Sequence, residues 1–242
     1  MKLAERTLGI IGTGNMGRAL VKGLLAAEPR PRIYIYDVAE ASRQRLLDEF
    51  GDRLQAAADN QELVRRSDLV ILAVKPQVID RVLAEISPVL APTKLLLSIA
   101  AGITLQTLEN GIPAAVPVVR VMPNTPALVQ AGIAALTAGR HAGKEHLQLA
   151  AAVFSRVGKT VIVEEKLMDA VTAVSGSGPA YAFLVVEAMI DAAVDQGLPR
   201  EIARALVIET IAGSCALLRE TGQQPMALKD MVTSPGGTTI AG

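Results

Sequence analysis

The chain has 242 residues, enough for one large domain or two smaller ones, and half of them are hydrophobic, so a sizeable core is available. Its 24 Lys and Arg balance 24 Asp and Glu, and tryptophan is absent, which argues against nucleic acid or an anionic membrane as partner. Cys215 is the only cysteine, so an intrachain disulfide is excluded and a reducing compartment fits. The start, Met1-Lys2-Leu3-Ala4-Glu5-Arg6, is charged and lacks the apolar region of a signal peptide. No uncharged apolar run reaches the roughly 18 residues of a membrane span, so the expected location is the cytoplasm.

From residue 7 to 163 short apolar runs alternate with helical patterns. Strands are expected at residues 7–11, 33–36, 69–74, 95–98, 118–122, 133–136 and 160–163, with amphipathic helices at 18–27, 40–50 and 77–86. Such alternation predicts βαβ units and a mostly parallel sheet, covered by helices because the early strands are apolar on both faces. The first strand runs into Gly12-Thr13-Gly14-Asn15-Met16-Gly17, which has the G-x-G-x-x-G spacing between a strand and a helix. Gly12 permits the tight turn, Gly14 lets the backbone approach a pyrophosphate, and Gly17 lets helix and strand pack closely. The helix N-terminus adds amides and the positive end of its dipole. The plainer reading is a glycine-rich turn without a ligand.

Asp37 ends the second strand. An acid there accepts from the adenosine ribose hydroxyls and repels a 2′-phosphate; the alternative is an ordinary strand-end carboxylate. Arg43 and Arg45 lie further on, in a helix, and read as solvated. His141 and His146 sit around the start of a polar helix and also read as surface residues. No Cys/His cluster has metal-ligand spacing, so no metal is expected.

After about residue 164 the strand signals stop, which places a boundary there: a dinucleotide-binding domain at 1–164 and a helical domain at 165–242. Helices are expected at 179–196, 199–221 and 226–232, with Pro199 at a start and Gly197 and Gly222 just past ends. From 205 to 218 the only charge is Glu209. A segment this short cannot bury that much apolar helix within itself, so the cover is either the first domain or a second copy of the chain. Cys215 reads as a core thiol among apolar residues.

Four further motifs follow the fingerprint in fixed order: Ala73-Val74-Lys75-Pro76, Val121-Met122-Pro123-Asn124-Thr125-Pro126, Ser175-Gly176-Ser177-Gly178-Pro179-Ala180-Tyr181 and Ser234-Pro235-Gly236-Gly237-Thr238-Thr239. Over essentially its whole length the sequence resembles the pyrroline-5-carboxylate reductases, and the last two motifs are the most specific. The resemblance implies an α/β fold, a Rossmann-type doubly wound sheet followed by an all-helical dimerisation domain. It implies assembly as a homodimer and often a decamer, with a further helix beyond the position of Gly242. The implied reaction is reduction of 1-pyrroline-5-carboxylate to L-proline by NADPH or NADH. An imine nitrogen arrives basic or already protonated, so a strong general acid is less necessary than for a ketone.

By resemblance Lys75 and Pro76 line the cofactor site, with Ala73 and Val74 before them. Asn60 contacts the cofactor, a helix N-cap being its plainer role, and Asn124 lies near the nicotinamide. Ser234, Gly236, Gly237 and Thr239 form a turn able to direct amides at the substrate carboxylate. Thr239 matches the family threonine whose hydroxyl lies near the imine nitrogen, where it donates a hydrogen bond or relays a proton. Residues 175–178 are not a G-x-S-x-G nucleophile elbow, because position 175 is serine; their glycines suit close packing at the joint between domains. Two other readings stay open. A β-hydroxyacid dehydrogenase needs a lysine in the helical domain, where Lys166 and Lys229 stand, neither inside a long helix. A dinucleotide-binding sensor without catalysis is the other.

Overall fold

The computed structural model describes residues 3–113 and 115–241. Met1, Lys2 and Gly242, the outer ends of the two expected domains, lie outside the described residues. Packing divides the chain into two compact units, Met1–Pro179 and Ala180–Gly242. The division falls beyond the boundary expected near 164 because the chain just after that point is tied to the sheet. Glu165 Oε1 accepts from the Leu105 amide at 2.6 Å and from the buried Arg120 Nη1 at 3.1 Å.

In the first unit eight strands form one sheet in the order β3-β2-β1-β4-β5-β6-β7-β8. They are β1 (Thr7–Ile11), β2 (Arg32–Tyr36), β3 (Gln55–Ala56), β4 (Leu69–Leu72), β5 (Leu95–Ser98), β6 (Val118–Met122), β7 (Gly132–Ala138) and β8 (Gly158–Ile162). The first six run parallel in the Rossmann order 3-2-1-4-5-6, while β7 is antiparallel to β6 and β8 parallel to β7. The sheet is thus mostly parallel, as expected, and the one reversal, at β7, has a steric reason. Residues 123–131, which join it to β6, are too few for a helical crossover. Strand β3, two residues long, is an addition to the expected strands, because it is too short to carry a periodic apolar signal.

Alternate strand residues feed opposite faces of the sheet. Leu8 and Ile10 of β1, Leu69 and Ile71 of β4, and Leu95 and Leu97 of β5 pack into one core with α1 (Asn15–Leu25) and α6 (Lys144–Phe154). Ile11, Val70, Leu72 and Leu96 pack into the other with α3 (Asn60–Arg66), α4 (Ile79–Ile86) and α5 (Leu105–Asn110); α2 (Glu40–Phe50) adds Leu46 to the first core. Each fully buried Leu, Ile or Phe contributes roughly 1.5–3 kcal/mol, so the two cores hold this unit by themselves. One short helix, α7 (Met168–Val171), precedes a π-helical turn at Thr172–Gly176.

The second unit is helical: most of α8 (Gly178–Asp195), then α9 (Arg200–Thr221), α10 (Pro225–Met231) and α11 (Thr238–Ala241). Pro199 precedes α9, and Gly222 ends it at φ +63° with its amide on the Leu218 carbonyl at 3.1 Å. Among the described residues, the core cluster of this unit centres on Ile190, Ala203 and Val207. Tyr181, Phe183, Leu184 and Val185 of α8, and Ile202, Leu206 and Leu217 of α9, are exposed in the single chain. Cys215 is exposed too, which corrects the core-thiol reading: its apolar neighbours on α9 face outward rather than into a core.

The helical run Glu165–Asp195 is long and apolar enough to cross a membrane by length and composition alone. The run reaches that length only by including charged residues, since its longest uncharged part is shorter. That stretch, residues 170–186, stops at Glu187 just short of a span.

Candidate active site

The chain reverses its winding direction between β1 and β4, and the glycine turn sits there. The Gly12 amide donates to the Tyr36 carbonyl at 2.8 Å, and the Ala73 amide to the Ile11 carbonyl at 2.8 Å, so the strand ends stay zipped up to the turn. Gly12 has φ +98°, and a Cβ there would lie 2.5 Å from the Ala73 carbonyl oxygen. Any side chain would push β1 and β4 apart. Beside Gly14, by contrast, a Cβ would meet nothing within 4 Å: the backbone at the start of α1 borders open space, as close approach of a phosphate requires.

That space belongs to a cavity of about 470 Å³. Of the residues expected from sequence, Gly12, Gly14, Asp37, Asn60, Ala73, Val74 and Lys75 line it. Tyr36, Val38, Val78, Arg81, Val82 and Glu85 line it as well and were not foreseen. Val78, Val82 and Glu85 recur at helical spacing, which is also the pattern of a core-facing stripe, so spacing alone does not mark them as cavity walls. The other expected residues take supporting places. Thr13 is buried behind the turn, Asn15, Met16 and Gly17 open α1, and Pro76 begins a 3-10 turn after Lys75. Asn124 Oδ1 accepts from the Ile133 amide at 2.9 Å, which ties its loop to β7.

Asp37 has a structural duty besides the expected one. Its Oδ2 accepts from the Thr13 amide at 2.7 Å and the Thr13 hydroxyl at 3.1 Å, and its Oδ1 accepts from the Ala39 amide at 2.9 Å. The carboxylate therefore clamps the glycine turn to the end of β2, and the Thr13 amide is committed to it. Of about four lone-pair sites on a carboxylate, three are filled. Arg43 is not simply solvated: its guanidinium lies 5.3 Å from the Tyr36 ring centroid, and Nη1 donates to the Asp37 carbonyl at 2.8 Å. A cation thus stands docked beside the acid that was expected to exclude phosphate.

The N-cap of α3 is Asp59, not Asn60. Its carboxylate accepts from the Glu62 amide at 2.7 Å, while Glu62 Oε2 accepts from the Ala58 amide at 2.6 Å. That backbone bond, followed by the hydrogen bond from Arg66, holds the Glu62 carboxyl below the usual carboxylate range. Asn60 is left free of capping and is 3% exposed. Its Nδ2 donates to Glu85 Oε2 at 2.9 Å, and its Oδ1 is the one buried side-chain atom among the described residues without a hydrogen-bond partner. An unpaired buried acceptor costs about 1–3 kcal/mol, which a donor on a ligand relieves. The open ground beside Gly14 and this orphaned oxygen in one cavity fit a dinucleotide.

Elsewhere, Ser175 Oγ donates to the Val171 carbonyl at 3.0 Å inside the π-helical turn, so it serves the backbone. Gly176 packs where a Cβ would lie 2.7 Å from Met122 Cε. His146 is half-buried and accepts on Nδ1 from the Gly143 amide at 2.9 Å, capping α6 rather than standing free in solvent. His141 lines a separate small cleft with Glu109 and Arg140. Lys166 and Lys229 pair with the neighbouring Glu164 and Asp230. In the second unit residues 234–237 form a turn: the Gly237 amide donates to the Ser234 carbonyl at 3.0 Å, and Gly236 has φ +69°. One amide expected to point at a substrate is therefore used within the turn. Ser234, Gly236 and Thr239 are exposed, with Thr239 in the first turn of α11.

A largely parallel sheet in this order, with a glycine turn and a cavity at the point where its winding reverses, defines a Rossmann-type dinucleotide-binding protein. Residues 165–242 match the family model for pyrroline-5-carboxylate reductase dimerisation, and residues 7–102 match that for NADP oxidoreductase, coenzyme F420-dependent. The sequence is 46% identical over 236 residues to a pyrroline-5-carboxylate reductase of Synechocystis, covering 97% of this chain and 87% of that protein. The chain belongs to the pyrroline-5-carboxylate reductase family. Among solved structures, the reductase of Coxiella burnetii is similar with a TM-score of 0.90 at 36% identity, covering 97% of this chain and 87% of that one. That of Plasmodium falciparum with NADP bound is similar with a TM-score of 0.87 at 34% identity, covering 99% and 88%.

Proposed function

We propose that this protein reduces 1-pyrroline-5-carboxylate to L-proline with NADPH or NADH, the last step of proline biosynthesis. The observation that carries the reading is the likeness to such reductases from end to end, through the glycine turn and the helical unit alike. The bound dinucleotide supplies a hydride, from C4 of its reduced nicotinamide, to the imine carbon. The turn at Gly12 and Gly14 and the start of α1 hold the pyrophosphate. Asp37 keeps that turn in register through Thr13 and meets the adenosine ribose. Lys75 stands at the cavity edge, and Asn124 shapes the loop near the nicotinamide. Ser234, Gly236, Gly237 and Thr239 hold the substrate carboxylate, and the Thr239 hydroxyl donates toward the imine nitrogen, which ends as the protonated amine of proline.

In the same reading the exposed apolar faces of α8 and α9 are covered by a second copy of the chain, and dimers build into decamers. The family model's own description, dimerisation, supports this for residues 165–242. The apolar run Glu165–Asp195 then serves association rather than a membrane. Neither nucleic acid nor a membrane is a partner, and the cytoplasm is the compartment, consistent with a single unpaired cysteine. The test is steady-state oxidation of NADPH and of NADH with 1-pyrroline-5-carboxylate. Turnover excludes the non-catalytic sensor. Silence with this substrate, together with activity on a β-hydroxyacid, would replace the proposal by that other dehydrogenase class.

A further inference from the structure

We infer that Glu85 is a positioning residue for the dinucleotide: it fixes the Asn60 amide so that Oδ1 is presented to an N–H or O–H donor on the adenosine half. The inference rests on the functional reading above and deepens it. Ionised, the Glu85 carboxylate offers only acceptors, so the group that Asn60 turns toward it at 2.9 Å must be the NH₂. That choice leaves Oδ1 as the free end of the amide, and it is this atom that is buried without a partner. The two helices that bring the pair together are also fastened there, because Gln61 Nε2 donates to the Glu85 carbonyl at 3.0 Å.

The place of the pair says which part of a ligand it meets. Asn60 and Glu85 share the cavity with Asp37 and Val38 at the end of β2, with Val78 just before α4 and with Val82 of α4. A dinucleotide whose pyrophosphate lies on the glycine turn directs its adenosine toward the acid ending β2. Apolar walls and one unsatisfied acceptor suit a flat base carrying an amino group, or the ribose hydroxyls beside it. Without Glu85 the amide is free to flip, and its NH₂ would then face a donor on the ligand, a mismatch of like with like.

The experiment uses the full-length chain in its native assembly and titrates binding directly. Dissociation constants for NADPH, NADH and deamino-NADH, in which a carbonyl replaces the adenine amino group, are measured by fluorescence. The proteins are wild type, Glu85→Leu, Glu85→Gln, Asn60→Ala and the Asn60→Ala/Glu85→Leu double variant. Glu85→Leu and Asn60→Ala should each weaken dinucleotide binding about tenfold. The double variant should be no weaker than either, since Glu85 acts through Asn60. Glu85→Gln, which can still accept from the amide, should stay near wild type, and turnover at saturating dinucleotide should hold within about twofold. If the donor is the adenine amine, deamino-NADH binds wild type poorly and the variants no longer discriminate. If it is a ribose hydroxyl, the variants weaken both dinucleotides equally. Additive losses, or a Glu85→Leu variant that binds like wild type, overturn the inference alone. A wild-type chain that binds no dinucleotide removes the functional reading and the inference with it.

Discussion

The two units of this chain bury their apolar residues by different means. In the first, strands alternate sides and send leucine, isoleucine and valine into two cores, each roofed by helices of the same unit. In the second, two long helices leave Phe183 at 66% and Leu206 at 54% exposure, and the core cluster centres on three residues. Apolar surface in water costs about 25 cal/mol per Å², so the first unit supplies its own stability and the second calls for another surface to cover it. The glycine turn, which must hold a ligand to fractions of an ångström, is built on the self-sufficient unit.

This contrast can be broken experimentally, most visibly at α9. Leu206→Glu should convert an assembled protein into monomers in sedimentation at low micromolar concentration, because a charge placed in a closed apolar interface goes unpaired. A compact and active wild-type monomer at that concentration would end the reading. Phe154→Ala probes the other side. It should lower the unfolding free energy by about 3–5 kcal/mol, and the loss should not depend on protein concentration, since the cavity opens inside one unit. A concentration-dependent loss would mean that the first core also leans on a partner.

Thr239→Ala should lower turnover roughly tenfold to thousandfold while cofactor binding stays nearly unchanged, since one transition-state hydrogen bond is lost. Wild-type turnover would remove Thr239 from the chemistry. A smaller effect is expected at Asp37. NADH should be at least as good a substrate as NADPH, and Asp37→Ser should move the ratio of kcat/KM toward NADPH by removing a like charge beside the phosphate. The same change frees Thr13, so KM should rise for both dinucleotides. A strong wild-type preference for NADPH would assign the choice to the docked Arg43 instead.

The smallest change belongs to Glu62. Its carboxyl is held below the usual range chiefly by the Ala58 amide, so its contribution is complete at neutral pH and lost as pH falls through the carboxylate range. Wild type should exceed Glu62→Gln in stability near pH 7, with the gap closing on acidification. A gap independent of pH would show that charge plays no part there.

Much of the molecule was legible in the sequence because its signals are local. The exact bounds of β1, β5 and β6, the helix at 40–50 and the proline and glycine that frame α9 follow from apolar runs and from backbone preferences of single residues. So does the glycine turn, where Gly12 needs a positive φ whatever surrounds it. Signals failed where the decisive contact spans the chain. Strand β3, Gln55–Ala56, is two residues long, too short for a periodic signal, and is placed by pairing with β2; the direction of β7 depends on how short a loop must return.

Sequence by itself determined the doubly wound sheet, the glycine turn at its switch point and an apolar helical unit in want of a cover, since composition and periodicity are properties of neighbours along the chain. Tertiary structure alone decided what three acids do. Asp37 staples the turn through Thr13, Glu165 reaches back to Arg120 and Leu105, and Glu85 turns the Asn60 amide. A carboxylate reads the same in any sequence; its role is set by which donors the fold brings into hydrogen-bond reach of it, and those lie 24 to 60 residues away along the chain.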